Sequence, residues 1–393
     1  MAALNLFEQY DAIDVDTHVT EPADLWSSRM AKKHHDLAPR VERIDGNDVW
    51  LVGGIPKVPP GMNAMAGFDG SLPVEFPATF EDIDPPAYDP HARLAHMDKD
   101  KVHAQVLYPN VGGFGSQAFI KLNDADLQLQ CVRAYNDFLV DFCAADPNRL
   151  LAMTALPFWD LEETLKEVRR CVDLGHRGLV LPSQPQAFGM PGLADKAWDP
   201  LWAFAQEAGM PINFHIASDG DYTMDEVFSD PANMGQRTQF AFVSSTAFVA
   251  NAKCIGDVIF GGVCHRFPKL NFVSVESCVS WIPNLLETMD WQWHNSRVKL
   301  EHPEYDLLPS EYFRRQIYSC FWFEQGPSFE AALELYPDNM MWETDFPHPT
   351  SMSPGPATLA VAPSQYATEA LQNVSADIAK KVLHSNAARV YGL

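Results

Sequence analysis

The chain has 393 residues, of which 47% are hydrophobic and 20% are charged, a composition typical of a globular protein with a substantial core. Its 28 Lys and Arg residues against 52 Asp and Glu residues give a formal net charge of -24, which excludes nucleic acid and anionic lipid as partners because both bind through basic patches. We expect a cytoplasmic protein, since no apolar run approaches a membrane span and the first ten residues do not resemble a signal peptide. The seven scattered cysteines form no CxxC pair, which argues against a disulfide framework and a zinc-thiolate site.

The first predicted strand covers residues 12–16 and leads into the motif Asp16-x-His18. Residues two apart on a strand point to the same face, so Asp16 and His18 can present a carboxylate and an imidazole together. That pair of side chains suits a divalent metal ion.

Residues 25–100 differ in composition from the rest of the chain. They are rich in Pro, Gly and Asp, and residues 49–52 are their only clear strand-like run. We interpret this region as an insertion after the first strand that packs over one face of the domain. Within it, residues 62–68 could form a substrate lid, although an ordered loop that fills space explains them equally well.

From about residue 101 onward, strand-like runs alternate with helical patterns. Further strands are predicted at 105–110, 150–158, 178–183, 211–217, 270–277, 316–323 and 339–346. Helices are predicted at 125–145, 160–174, 200–208, 279–295 and 376–391, with a long helical region that ends near residue 266. Eight buried-type strands alternating with helices predict an α/β fold, a (β/α)8 TIM barrel that forms a single domain over residues 1–393.

The active site of such a barrel lies at the C-terminal ends of its strands. This rule places His215, Glu276 and Asp345 at the same rim as Asp16 and His18. A single histidine or carboxylate at a strand end is more often a cap or a hydrogen-bond partner than a ligand. Four strand ends that carry such residues nevertheless predict one metal site, with these five side chains as its ligands.

Four other residues are candidates for further ligands or for positioning partners of the ligands, namely Glu21, His294, His302 and His348. His265 precedes the sixth strand, so we expect it at the opposite end of the barrel with a structural role.

At these residues the sequence resembles the amidohydrolase-2 branch of the amidohydrolase superfamily, the group that contains aminocarboxymuconate-semialdehyde decarboxylase. The resemblance rests on residues 13–18, 213–215, 266–270, 275–277 and 344–348. It implies a distorted TIM barrel that holds a divalent metal through Asp16, His18, His215 and Asp345. It also implies a homodimer.

The sequence departs from the family pattern at two positions. The usual His-x-His of the first strand is Asp16-x-His18, and Glu276 stands where hydrolases and decarboxylases of the family often place a catalytic histidine. Residues 178–184 also contain no lysine for the carbamate bridge of other binuclear members. Two imidazoles with three carboxylates suit iron or manganese better than a tight zinc site.

Some barrels that resemble this family are non-heme diiron oxygenases. We therefore favour an iron-dependent monooxygenase, with one or two ions, that hydroxylates a hydrophobic substrate, and a CoA-linked substrate is one version of this hypothesis. The substrate would lie against aromatic side chains such as Trp159, Phe214, Trp281 and Trp322. Because CoA is polyanionic, this hypothesis needs a local basic patch, for which residues 32–33 and 314–315 are among the few candidates.

Two alternative reactions use zinc or manganese instead of iron. The first is hydrolysis of an amide, ester or lactone by metal-bound water, with Glu276 or Asp345 as the general base. The second is non-oxidative decarboxylation of an aromatic or unsaturated acid, for which Asp345 is the candidate proton donor. A barrel without metal that acts as a binding module is less favoured, because the candidate ligands are retained.

Overall fold

The structure, a computed structural model, describes residues 5–69, 75–220, 233–355 and 358–393. Its strands are β1 (Ile13–His18), β2 (Arg40–Ile44), β3 (Asn47–Val52), β4 (Ile55–Pro56), β5 (Ala104–Tyr108), β6 (Leu150–Ala155), β7 (Gly178–Val180), β8 (Ile212–His215), β9 (Phe272–Val275), β10 (Ile317–Phe321) and β11 (Met340–Trp342). Eight of them, β1 and β5 to β11, form a parallel sheet in sequence order.

The α-helices of the described residues alternate with these strands. They are α1 (Leu6–Tyr10), α2 (Leu25–Arg29), α3 (Pro90–Asp100), α4 (Ala125–Cys143), α5 (Leu161–Asp173), α6 (Asp199–Ala208), α7 (Gln236–Thr246), α8 (Phe248–Phe260), α9 (Val263–Arg266), α10 (Ile282–Asn295), α11 (Pro309–Gln316), α12 (Pro327–Leu335), α13 (Pro363–Ala370), α14 (Ala376–Lys380) and α15 (Asn386–Tyr391). Short 3₁₀ turns occur at Lys32–His34, Pro60–Asn63, Phe80–Asp82, Pro85–Ala87, Gln117–Lys121, Pro185–Phe188, Lys196–Trp198 and Val298–Leu300, and a π-helical turn at Lys381–Ser385. Among the described helices, none is long and apolar enough to span a membrane.

The barrel closes between β1 and the segment that follows β11. The Asp345 N–H donates to the Asp16 carbonyl at 2.9 Å, and the His18 N–H donates to the Phe346 carbonyl at 2.6 Å. These bonds place the ends of the first and last barrel strands side by side. The predicted (β/α)8 TIM barrel is confirmed.

The segment between β1 and α3 contains a separate antiparallel sheet with the order β2-β3-β4. The sequence pattern predicts only β3, at residues 49–52. It misses β2 because three of its five residues are charged and none of the five is fully buried, so it lacks the apolar signal of a core strand. That this insertion acts as a lid stays a prediction.

Side chains on the barrel strands alternate between the barrel interior and the outer layer under the helices. On β8, Asn213 and His215 face the interior, whereas Ile212 and Phe214 pack in the outer layer. The Phe214 ring stacks on Phe272 there, with 6.0 Å between the ring centroids. Our expectation that Phe214 contacts substrate is therefore wrong.

A β-bulge in β1 decides which way the Asp16-x-His18 motif faces. Ile13 and Val15 point into the barrel interior. Asp14 pairs with Gln105 on β5 while Thr17 pairs with Leu107, so three steps along β1 match two steps along β5. The extra residue shifts the alternation by one position, and Asp16 and His18 also face the interior.

The C-terminal helix α15 fills the opposite end of the barrel. Its residues Ala387, Val390 and Tyr391 belong to the interior apolar cluster. The Tyr391 hydroxyl donates to Asn213 Oδ1 at 2.8 Å, next to the Tyr108 hydroxyl that donates to the same atom at 3.1 Å. The barrel is thus packed at its floor, and its open end is the rim that carries Asp16 and His18.

His176, which lies just before β7, is a buried histidine outside this rim. It is 4% exposed, and its Nδ1 lies 3.0 Å from the Thr154 hydroxyl. Burial lowers its pKa from 6.5 to about 4. Between these values the unfolded chain binds a proton that the folded chain does not. The contribution of His176 to the free energy of unfolding is therefore fully present above about pH 6.5, and about 3 kcal/mol of it is lost as the pH drops toward 4.

Substitution of His176 by glutamine is expected to remove this contribution to acid sensitivity. The free energy of unfolding of the variant should fall less than that of the wild type between pH 7 and pH 4.5, by roughly 2–3 kcal/mol. Urea denaturation at both pH values measures the difference. His91→Gln, at an exposed histidine, is the control. Equal pH dependence in wild type and His176→Gln would contradict the prediction.

Candidate metal centre

Two histidines face each other at the open end of the barrel. His18 at the end of β1 and His215 at the end of β8 have their Nε2 atoms 3.2 Å apart. The Nδ1 of His18 lies 3.1 Å from the Pro109 carbonyl, and the Nδ1 of His215 lies 2.9 Å from the Ile216 carbonyl. When each Nδ1–H donates to its carbonyl, each Nε2 carries a free lone pair, which is the form of histidine that binds metals.

Three carboxylates surround this pair of imidazoles. Asp16 Oδ1 lies 3.5 Å from the Nε2 of His18 and 3.6 Å from that of His215. Asp345 Oδ1 lies 3.6 Å from His18 Nε2, and Glu276 Oε2 lies 3.5 Å from His215 Nε2. The five residues predicted as ligands are thus brought together.

Asp16 is the least satisfied of these carboxylates. It is fully buried, and neither of its carboxylate oxygens has a hydrogen-bond partner among the residues that the structure describes. A buried carboxylate without partners is costly unless it is neutralised or coordinates a cation.

Burial controls the electrostatics of the cluster. It raises the pKa of Asp16, Glu276 and Asp345 well above their usual range, and a neighbouring carboxylate raises each of them further. Burial also lowers the pKa of His18, with His348 and His215 adding to the effect. A divalent cation would offset this cost, because it favours ionised carboxylates and neutral imidazoles together. Imidazole nitrogens and carboxylate oxygens are a suitable donor set for such an ion.

The backbone is left-handed at two of these positions. Glu276 has φ 52° and Asp345 has φ 58°, values that non-glycine residues rarely adopt. A backbone hydrogen bond holds each of them. The Glu276 N–H donates to Glu343 Oε2 at 3.3 Å, and the Asp345 N–H donates to the Asp16 carbonyl at 2.9 Å. Residues held in such conformations cluster at functional sites, which agrees with a site at these two strand ends.

His348 and Glu21, two of the further candidates, differ in their relation to the cluster. His348 stacks on His18 with 3.7 Å between ring centroids, and its Nδ1 lies 2.8 Å from Asp345 Oδ1. Its Nε2 lies 2.7 Å from Asn110 Oδ1. Glu21 instead accepts hydrogen bonds from the N–H groups of Asn110 and Val111, at 2.9 and 3.0 Å. Burial raises the pKa of Glu21 to about 7. Glu21 therefore holds the loop that positions His348.

The candidates His294 and His302 lie away from the cluster. Helix α10 runs back from the rim, so His294 in its last turn lies near the opposite end of the barrel. His302 is 41% exposed, pairs with Glu304 at 3.2 Å and stacks on Tyr305 at 4.5 Å. Tyr305 also contacts His265, which precedes β9. Neither candidate can reach the metal centre, because the chain reverses direction between the rim and these residues.

Glu343 belongs to the cluster although we did not predict it. It is fully buried, and its Oε1 has no hydrogen-bond partner within the described part of the chain. Burial raises its pKa, and the charge of Asp16 adds to this effect. The sequence does contain a signal for Glu343. It lies two residues before Asp345, and residues two apart on an extended strand share a face.

A cleft opens directly onto the cluster, and its lining is mostly apolar. Phe114, whose ring centroid lies 4.2 Å from that of His215, forms part of the wall with Ile216, Phe240 and Val243. The polar residues of the lining are Asn63, Ser244, Glu276, His348 and Thr350. The aromatic residues expected to contact substrate are not part of this lining, since Trp159 packs on the core, Trp281 lies against Phe248, and Trp322 against Phe323.

Comparison with known proteins agrees with this architecture. A sequence model described as amidohydrolase matches residues 13–393. The 2-amino-3-carboxymuconate-6-semialdehyde decarboxylase of Dictyostelium discoideum is 26% identical over 321 residues, covering 80% of this chain and 79% of that protein. The gamma-resorcylate decarboxylase of Rhizobium radiobacter is 24% identical over 268 residues, covering 65% and 76%.

Several solved structures share the fold. An amidohydrolase from Mycobacterium avium subsp. paratuberculosis K-10 has a TM-score of 0.73 at 21% identity, covering 98% of this chain and 99% of its own. The 5-carboxyvanillate decarboxylase of Sphingomonas paucimobilis has a TM-score of 0.65 at 21% identity, with coverage of 98% and 99%. The dihydroxybenzoic acid decarboxylase of Polaromonas sp. JS666, solved with bound manganese and the inhibitor 2-nitroresorcinol, has a TM-score of 0.60 at 17% identity and coverage of 97% of both chains.

The expectation of an iron monooxygenase acting on a CoA-linked substrate is wrong, because the sequence relatives are decarboxylases and not oxygenases. The ligand set could not decide the reaction, since imidazole and carboxylate donors suit manganese as well as iron. The basic residues that we expected to bind CoA do not lie at the candidate site as a free basic patch. Arg314 and Arg315 precede β10 at the opposite end of the barrel, and Lys33 is paired with Asp126 at 2.7 Å.

Proposed function

The chain belongs to the amidohydrolase family, and on that premise we propose that it is a metal-dependent enzyme that decarboxylates an aromatic or unsaturated acid without oxidation. One observation carries the proposal: two facing imidazoles and the Asp16 carboxylate, which has no hydrogen-bond partner among the described residues, adjoin Glu276, which lines a largely apolar cleft. The reaction class is supported by the decarboxylases that match 80% and 65% of this chain. A homodimer stays a prediction.

We assign the metal to Asp16, His18, His215 and Asp345. Bound there, a divalent ion supplies positive charge that binds the carboxylate of the substrate and stabilises negative charge that develops in the reaction. Manganese is the first ion to test, because a solved protein of this fold contains it. Zinc is the second.

Decarboxylation breaks the bond between the carboxyl carbon and its neighbour. CO2 leaves, the electron pair stays on the neighbouring carbon, and that carbon must gain a proton. Of the two predicted catalytic residues, Glu276 lines the cleft, whereas Asp345 is fully buried and accepts a hydrogen bond from the Thr350 hydroxyl. We therefore assign Glu276 as the proton donor, which regains its proton from water after product leaves, and Asp345 as a metal ligand.

The remaining residues orient the substrate and the ligands. Phe114 and Ile216 give the cleft an apolar wall that suits the ring or double bond of the substrate. Such a wall also favours loss of the charged carboxylate as neutral CO2. His348 is held between Asn110 and Asp345 and stacks on His18, so it keeps both ligands in place.

The test is anaerobic incubation of the manganese-loaded protein with a panel of acids that includes 2,6-dihydroxybenzoate and 5-carboxyvanillate, two acids named with solved proteins of this fold. We expect CO2 to be released in a one-to-one ratio with the acid consumed, without a requirement for dioxygen. Metal-free protein is the control. Hydrolysis of esters or lactones, with no CO2 from any acid in the panel, would overturn the proposal in favour of a hydrolase.

A further inference from the structure

One wall of the cleft is formed by the segment that contains the turn Pro60–Asn63. The N–H groups of Met65 and Ala66 both donate to the Pro347 carbonyl, at 2.8 and 3.0 Å. On the other side, the Met62 side chain packs against Val243 of α7. Main-chain bonds and an apolar contact thus hold this segment against the rim, next to His348.

Asn63 is the polar side chain that this segment contributes to the cleft. It lines the same cavity as Glu276 and His348. Its Oδ1 is buried, and it has no hydrogen-bond partner among residues 5–69, 75–220, 233–355 and 358–393. A buried acceptor that stays unpaired lowers stability, so an unpaired acceptor in a cleft points to a ligand that donates to it.

Two neighbouring polar groups of the cleft already have protein partners. The Thr350 hydroxyl donates to Asp345, and His348 Nε2 lies 2.7 Å from Asn110 Oδ1. Within the described part of the chain, the Oδ1 of Asn63 contributes no hydrogen bond to the fold. The segment is held by its backbone and by Met62.

We propose that Asn63 determines substrate specificity by accepting a hydrogen bond, through Oδ1, from a hydroxyl or amino group of the substrate. This inference rests on the proposed function and narrows its substrate class to acids that carry such a donor away from the carboxyl group. An acid without the donor would leave Oδ1 unpaired in its complex with the protein. A buried acceptor of this kind discriminates strongly against the analogue that lacks its partner.

The test is calorimetric binding to the manganese-loaded protein of benzoate, 3-hydroxybenzoate, 4-hydroxybenzoate and 3-aminobenzoate. We expect at least one donor-bearing acid to bind the wild type about tenfold more tightly than benzoate. In Asn63→Leu this preference should fall to about twofold or less. Asn63→Ala is measured in parallel, because it only removes atoms and so does not depend on leucine being accommodated.

Met62→Leu is the matched control, since it keeps an apolar side chain of similar size one residue away and should retain the preference. Thermal melting checks that each variant is folded. The inference is overturned if no donor-bearing acid binds more tightly than benzoate, or if the preference survives in both Asn63 variants. Because the readout is binding, an Asn63-dependent preference without CO2 release would refute the proposed reaction while it supports this subsite.

Discussion

Replacement of His215 by alanine is expected to reduce bound manganese from about one ion per chain to below about a tenth, and to lower the rate of CO2 release by at least about a thousandfold. The substitution removes one of the two Nε2 atoms that face each other at 3.2 Å. Asp16 would then keep only one neighbouring imidazole. Elemental analysis after dialysis against metal-free buffer measures the first effect, and CO2 release measures the second.

His265→Ala is the control for this experiment. His265 is a histidine as well, but it precedes β9 and so lies at the opposite end of the barrel, where it pairs with Asp306 at 3.1 Å. This variant should keep wild-type manganese content. If His215→Ala retained its manganese, the assignment of the metal to the facing pair of imidazoles would have to be abandoned.

Replacement of Glu276 by glutamine is expected to preserve manganese content while it lowers kcat by about 10²–10⁴-fold. Glutamine keeps the shape of the side chain and its place at the floor of the cleft, but the amide cannot deliver a proton to carbon. Substrate binding should change little, since the substitution leaves unchanged the residues that would hold the metal, and that metal would bind the substrate carboxylate. Steady-state kinetics and elemental analysis on the same preparation separate the two effects.

Asp345→Asn distinguishes the two carboxylates. Asp345 is assigned as a ligand, so this variant should lose metal and activity together, whereas Glu276→Gln should lose activity alone. Loss of manganese in Glu276→Gln would make Glu276 a ligand. Wild-type activity in that variant would exclude it as the proton donor.

The sequence by itself determined the fold and much of the composition of the candidate site. Eight strand-like runs that alternate with helices specify a barrel, because each run is long enough to be buried and each helix covers it. The C-terminal ends of parallel strands meet at one rim. His215, Glu276 and Asp345 could therefore be grouped although more than 100 residues separate the first from the last.

The same local reasoning failed where direction along the chain mattered more than residue type. His294 and His302 follow a strand that carries a site residue, yet α10 takes them to the other end of the barrel. The type of reaction could not be predicted from the candidate ligands either. Imidazole and carboxylate donors serve iron, manganese and several reactions, so the composition of the site could not select among them.

Only the tertiary structure decided which side chains face the metal centre. Asp16 and His18 point inward because β1 carries one extra residue relative to β5, and that register depends on pairing with a strand about 90 residues away. The partners of His348 and the position of Asn63 beside the cleft are likewise set by loops that meet at the rim. Such contacts follow from how elements pack against one another, and no local spacing in the sequence records them.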